Sequence, residues 1–222
     1  MYNLSYFKEE DNQVLLQFMY DHPFAFLTGS FANGTQVATQ VPLLIEERDG
    51  RLILHGHIMR QTDHHKAFLE NPQVLAVFTG PNTYVSASWY ADPQIGSTWN
   101  YMSVHLKGAL VFQSEEKLIS LMRKLTLHFE HNDASSPTIY DNLPDAFLNR
   151  MLPAIVAFEI HVDVMENVFK LSQNRDEQSY LNIIDQLQKL GGDSALIASE
   201  MQKRQEKLFP PGVVWDNQRF LS

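Results

Sequence analysis

Residues 24–57 read FAFLTGSFANGTQVATQVPLLIEERDGRLILHGH. Three runs rich in β-branched and aromatic residues are separated by Asn33-Gly34 and Asp49-Gly50. Both dipeptides favour the positive φ that tight hairpin turns require, so the stretch predicts an antiparallel meander. Strands are expected at 24–31, 35–47 and 51–57. Pro42 cannot donate to a sheet ladder and marks an edge position or a bulge in the second of them.

On the N-terminal side, Asp11 is placed to cap a short helix whose apolar positions are Val14, Leu15, Phe18 and Met19. On the C-terminal side, Thr62 or Asp63 caps a helix through Leu69 that ends at Asn71-Pro72. A strand at 74–79 turns at Gly80-Pro81-Asn82 into another at 84–89. After a loop at 91–97 comes a long strand, 99–112, bent near Gly108. Ser114 caps an amphipathic helix with Leu118, Leu121, Met122, Leu125 and Phe129 on one face and Glu115 and Glu116 at its positive end. A short helix at 144–152 leads into a strand at 154–164. Residues 178–204 are helical in pattern, with a break at Gly191-Gly192. Hairpin-sized connections with single inserted helices predict an α+β, mainly β architecture: an antiparallel split barrel with a C-terminal helical appendage. The expected division is a barrel domain at 1–174 and a helical extension at 175–222.

Composition removes several classes of function. The 222 residues include no cysteine, which excludes disulfides, thiolate metal sites and cysteine nucleophiles. The N-terminus MYNLSYFKEEDNQ carries neither a basic nor an apolar leader segment, and no apolar run approaches the ~18 residues of a membrane span, so a cytoplasmic protein is expected. The formal net charge is -9. The only dense basic cluster is KRQEK at 203–207, so charge does not support direct DNA binding. No GxGxxG, P-loop, GxSxG or HExxH motif is present.

Three stretches carry candidate chemistry. The first is LHGHIMRQTDHHKAF, 54–68. His55 and His57 share one face of a strand. Arg60 and Lys66 flank a helix start, where an anion such as a phosphate monoester is favoured. Asp63 would repel that anion and is read as a cap facing away. His64, His65 and His105 offer further imidazoles, although His-x-His alone seldom fixes a metal. The second stretch joins YVSASWY, 84–90, to STWNYMSVHLKG, 97–108. It mixes flat aromatic surface with hydroxyl and amide groups, which suits a flavin ring. The third is FKLSQNR, 169–175, rich in donors. Solvated side chains in the first, core aromatics in the second and a surface loop in the third are the plainer readings of each stretch by itself.

Taken in order, HGHIMR, SWY, TWNYMSVHLKG and FKLSQNR resemble the PaiB-like family of FMN-binding negative transcriptional regulators. The opening YNLSYFKEED and the strands HPFAFLTG and VPLLIEE are similar too. The likeness runs from the first residues to about Arg175. It implies a split barrel of the pyridoxamine-phosphate-oxidase-like type, a bacterial origin, and a homodimer with FMN at the subunit interface. It also implies that Arg60, Thr62 and Lys66 hold the phosphate. His55, Gly56 and His57 would lie beside the ring or ribityl chain. Trp99, Asn100, Lys170, Ser172, Gln173, Asn174 and Arg175 would reach the flavin, from the same or the other subunit. No catalytic residue is assigned, although His55, His57 or Tyr101 could move a proton. A regulator or flavin-linked sensor is the first functional expectation. A flavin-dependent oxidoreductase is the second and a haem protein the third.

Overall fold

The computed structural model describes residues 1–92, 95–212 and 215–216. Part of the expected 91–97 loop therefore lies outside the described residues. The two predicted hairpins form, but not as one continuous meander. Helix α1 (Asn12–Asp21) is followed by β1 (Phe24–Ser30), β2 (Gln36–Pro42), β3 (Leu44–Arg48) and β4 (Arg51–Met59). Asn33 Oδ1 accepts from the Thr35 amide, and Gly34, Asp49 and Gly50 all take positive φ. The expected second strand is two: it breaks at Leu43, directly after Pro42, and the Leu43 amide donates instead to the Pro23 carbonyl.

That break shapes the sheet. Helix α2 (Asp63–Glu70) precedes β5 (Gln73–Val85) and β6 (Thr98–Phe112); α3 (Glu115–Phe129) and α4 (Asp145–Met151) precede β7 (Ile155–Lys170). The strand order is β2-β1-β5-β6-β7-β4-β3. β2 and β3 occupy opposite edges of the sheet yet are joined through the single residue Leu43. One residue spans only ~3.5 Å, so the sheet must curl until its two edges meet, which is a split barrel. The pairings of β1 with β2 and β5, of β3 with β4, and of β4 with β7 are antiparallel.

Two further expectations change in detail. Gly80-Pro81-Asn82 is not a turn: β5 continues through it, although the alternation of buried side chains changes phase at Thr79-Gly80, from Val74, Ala76 and Phe78 to Pro81, Thr83 and Val85. The last strand extends six residues past 164, to Lys170.

The chain forms two compact units, to both of which β5, β6 and β7 contribute residues. One comprises 19–78 and 105–166. Its barrel interior holds Leu54, Ile58, Phe158 and Ile160. Gly56 is required there, because a Cβ would meet the Phe158 ring at 2.6 Å and Leu43 Cδ2 at 2.8 Å. A Cβ on Gly108 would lie 2.0 Å from the His161 carbonyl oxygen, so this glycine lets β6 lie close against β7 at the expected bend. Outside the barrel, Leu118, Leu121 and Met122 of α3 pack with Tyr140, Ile155 and Ala157. Ser114 caps α3 as predicted.

The other unit comprises 1–18, 79–104 and 167–222. The helical segment expected after 174 is here α5 (Glu177–Leu190) and α6 (Gly192–Leu208), broken at Gly191-Gly192. Tyr180, Ile183 and Leu187 of α5 and Ile197 and Met201 of α6 are buried. Arg204 of α6 pairs with Glu9 at 2.9 Å.

Candidate functional site

In the unit of 19–78 and 105–166, β4 sets the direction of the first stretch. Leu54, Gly56 and Ile58 point into the barrel, so alternation turns His55 and His57 outward. His55 sits opposite Glu159 of β7 and Leu44 of β3 in the ladders. Its Nε2 lies 2.9 Å from Glu46 Oε2, and its Nδ1 lies 3.6 Å from Glu159 Oε1. The Nε2 contact lacks hydrogen-bond alignment, and His57 Nδ1 is buried with no partner. Burial holds both imidazoles below the ordinary histidine range; for His55 the carboxylates of Glu159 and Glu46 oppose that shift. Both rings are therefore neutral near pH 7.

The start of α2 follows. Thr62, and not Asp63, is the cap: its Oγ1 accepts from the His65 amide at 3.3 Å and donates to the Met59 carbonyl at 2.9 Å. Asp63 is solvent-exposed and accepts from the His64 amide at 2.7 Å. The first amides of α2 are thus already engaged, and an anion here would depend on side-chain charge. Arg60 Nε donates to the Ile155 carbonyl at 3.0 Å, which anchors the side chain and leaves its Nη groups available. Lys66 is exposed on the same helix. His64 contacts Thr62 and Asp63, and His65 stacks on Phe112 with ring centroids 5.0 Å apart, so both have local roles.

A cavity of about 440 Å³ lies between α3 and the β3–β4–β7 face. Tyr20, Leu44, Leu121 and Ala157 supply apolar lining, while His55, Glu46, Arg48 and Glu159 form a polar wall. Arg48 joins the two carboxylates, binding Glu46 at 2.9 and 3.2 Å and reaching Glu159 at 3.4 Å. Lys117, Ser120, Lys124 and His128 line its α3 side. Apart from His55, sequence reading missed this constellation. The β4–β7 register that brings Glu159 opposite His55 links positions more than a hundred residues apart, which local pattern cannot supply.

The remaining candidates fall in the other unit. Trp99 is 54% exposed and meets Tyr84 edge-on at 6.0 Å. Asn100 is fully buried; its Oδ1 accepts from Ser172 Oγ at 3.0 Å. Gln173 closes the end of β7 on itself, accepting from the Leu171 amide and donating to the Phe169 carbonyl. Ser172 takes φ +62 in that turn. Lys170 Nζ donates to the Trp99 carbonyl at 2.7 Å and to Thr98 Oγ1. Burial, followed by the charge of Arg175, lowers the Lys170 ammonium to a pKa of about 8. The Arg175 guanidinium lies 4.5 Å from the Tyr90 ring centroid, and its Nε is buried without a partner. Asn174 is half-buried beside it.

The structure thus pairs Lys170 with Trp99 and Ser172 with Asn100, with Arg175 over the Tyr90 ring. It places His55, His57, Arg60, Thr62 and Lys66 along β4 and the start of α2.

Residues 1–164 match the family model described as "Putative FMN-binding domain". The chain is 31% identical over 204 residues to the protease synthase and sporulation protein PAI 2 of Bacillus subtilis (strain 168), covering 91% of this chain and 97% of that protein. An uncharacterised protein of Emericella nidulans is 25% identical over 246 residues, covering 93% of this chain and 98% of that one. Among solved structures, the FAD and heme binding protein of Mycobacterium smegmatis superposes with a TM-score of 0.54 at 18% identity, covering 73% of this chain and 72% of that one. The flavocytochrome Anf3 of Azotobacter vinelandii gives 0.51 at 19%, covering 72% and 68%. These superpositions bear on the fold alone.

Proposed function

The chain belongs to the FMN-binding split-barrel family that includes PAI 2, and from that premise we propose that it is a homodimeric flavin-linked regulator or sensor. FMN supplies one- and two-electron redox chemistry when bound. In this reading Arg60 and Lys66 hold the phosphate by charge, and Thr62 fixes the helix start from which they project. The observation that carries the assignment is the buried, unpartnered Nδ1 of His57 on β4, next to that cationic start and on the same face as His55. Buried polar atoms without partners are uncommon, and a polar ligand edge against β4 would satisfy it. Gly56 keeps the strand between them flat against Phe158 and Leu43.

In the other unit, Trp99 offers exposed aromatic surface, and Lys170, Asn174 and Arg175 offer hydrogen-bond donors. Asn100, Ser172 and Gln173 bond to one another or to the backbone, so they act by shaping this segment.

Any regulation is indirect in this reading. Three of the four basic residues of α5 and α6, all but Lys207, are already matched. Lys203 and Arg204 each lie 2.6 Å from Glu200, and Lys189 lies 2.5 Å from Asp185. That leaves little cationic surface for DNA phosphates.

The test is an FMN titration followed by quenching of flavin fluorescence. Arg60→Ala with Lys66→Ala is expected to cost about 2–3 kcal/mol, or about 30- to 150-fold in affinity, because both contacts are charge-assisted but exposed. Unchanged affinity would remove this phosphate site. Binding to fragments of promoter DNA with a steep salt dependence would overturn the indirect reading.

A second reading, a flavin oxidoreductase acting on a small substrate, is favoured by one observation: His55 also lines the cavity under α3.

A further inference from the structure

We infer that the cavity beneath α3 is a second ligand site, which takes a small organic anion with a flat apolar body and a hydrogen-bond donor at its far end. The redox meaning of such a ligand, as substrate beside the flavin, rests on the reading above. Its chemical class follows from the cavity's own walls.

At about 440 Å³ the cavity suits a small molecule. Tyr20, Leu44 and Leu121 offer a surface for an apolar body. On the sheet side lies Glu159, whose side chain is only 9% exposed. Its nearest nitrogens are Arg48 Nη2 at 3.4 Å, His161 Nε2 at 3.5 Å and His55 Nδ1 at 3.6 Å. An ionised carboxylate offers about four acceptor sites, and so buried a carboxylate needs close donors. Glu46 differs, since it takes Arg48 by two shorter contacts. Glu159 therefore has acceptor capacity to spend on a hydroxyl or amino group brought in by a ligand.

On the α3 side, Lys117, Lys124 and His128 stand at i, i+7 and i+11 on one stripe and line the cavity. Among the described residues no ion pair engages either lysine. The two wall carboxylates, in contrast, already share Arg48. The carboxylates and the Arg and Lys side chains of the lining thus sum to one positive charge, carried on the α3 side, and a carboxylate or phosphate on the ligand would find its counter-charge there. An anion seated on Lys117 and Lys124 with its donor on Glu159 would lie across the apolar surface and beside His55.

The test uses 6-hydroxy-2-naphthoate, a fluorescent aromatic carrying a carboxylate at one end and a hydroxyl at the other. It is titrated into the full chain with and without FMN. Saturable binding is expected, weakened about tenfold in Lys117→Glu/Lys124→Glu, the scale of one charge-assisted contact. The uncharged analogue 2-naphthol is expected to bind wild type and variant alike, and FMN affinity is expected to stay the same in the variant. Equal binding of the hydroxynaphthoate to both proteins, or none to wild type in either flavin state, overturns the inference. So does a parallel loss of FMN affinity in the variant, which would make the lysines part of the flavin site. If wild type fails to bind FMN, the flavin reading falls, and the flavin-free titration still decides the cavity.

Discussion

Single residues here gain or lose their roles through burial. Lys170 is the clearest case: its ammonium is drawn down to a pKa of about 8 by burial and by Arg175, against an ordinary value of 10.5. Between those two values the unfolded chain binds a proton that the folded chain does not, so stability rises with pH across that window. Lys170→Met is expected to remove this contribution. Urea midpoints for wild type and variant, measured from about pH 7 to about pH 10.5, are expected to differ in slope. Parallel curves would show that Lys170 keeps an ordinary ammonium. His55 and His57 were legible as a same-face pair from their spacing. That their face meets α3, Glu46 and Glu159 was not legible, because it depends on which strands flank β4.

Helices behaved as their caps predicted, and strands less so. Asp11, Thr62, Ser114 and the Gly191-Gly192 break all stand where local signals put helix ends. The caps are not equal. Ser114 accepts from the Lys117 amide at 3.4 Å, a long bond, whereas Asp176 accepts from the Ser179 amide at 2.9 Å and from the Ser179 hydroxyl at 2.6 Å. Ser179 Oγ in turn accepts from the Ala91 amide at 2.9 Å. Asp176→Ala is therefore expected to cost about 1–2 kcal/mol and Ser114→Ala about 0.5 kcal/mol. Both are read as a shift in urea midpoint at constant slope. The reverse order would mean that bond geometry does not decide these caps. Among the strands, Gly80-Pro81-Asn82 has the composition of a turn, but β5 runs through it, and the only trace is a one-residue change of phase in the buried side chains at Thr79-Gly80. Pro42 gave the opposite lesson: a single missing donor did mark the place where one predicted strand becomes β2 and β3.

At the scale of the molecule the open question is assembly. Phe24 is 58% exposed and Phe26 40%, both on the outer side of β1, where the sheet face of a monomer would leave aromatic surface in water. A two-fold dimer would cover the same patch on both copies. Phe24→Glu with Phe26→Glu is expected to halve the molar mass measured by light scattering, with the circular dichroism of the fold retained. A monomeric wild type, or a variant that stays dimeric, would remove β1 from the interface.

The sequence alone determined the parts that depend on neighbouring residues: the hairpin turns, the helix caps, the barrel class, and, through motif resemblance, the family and its flavin. Backbone preference and short-range hydrogen bonding decide these within a few residues, so they can be read in order along the chain. Tertiary structure decided the curl that joins β2 to β3 across Leu43, the pairing of His55 with Glu159, and the cavity that α3 covers. Those follow from packing between segments far apart in the chain, where side-chain volume and the register of distant strands set the outcome and local pattern carries no record of the partner.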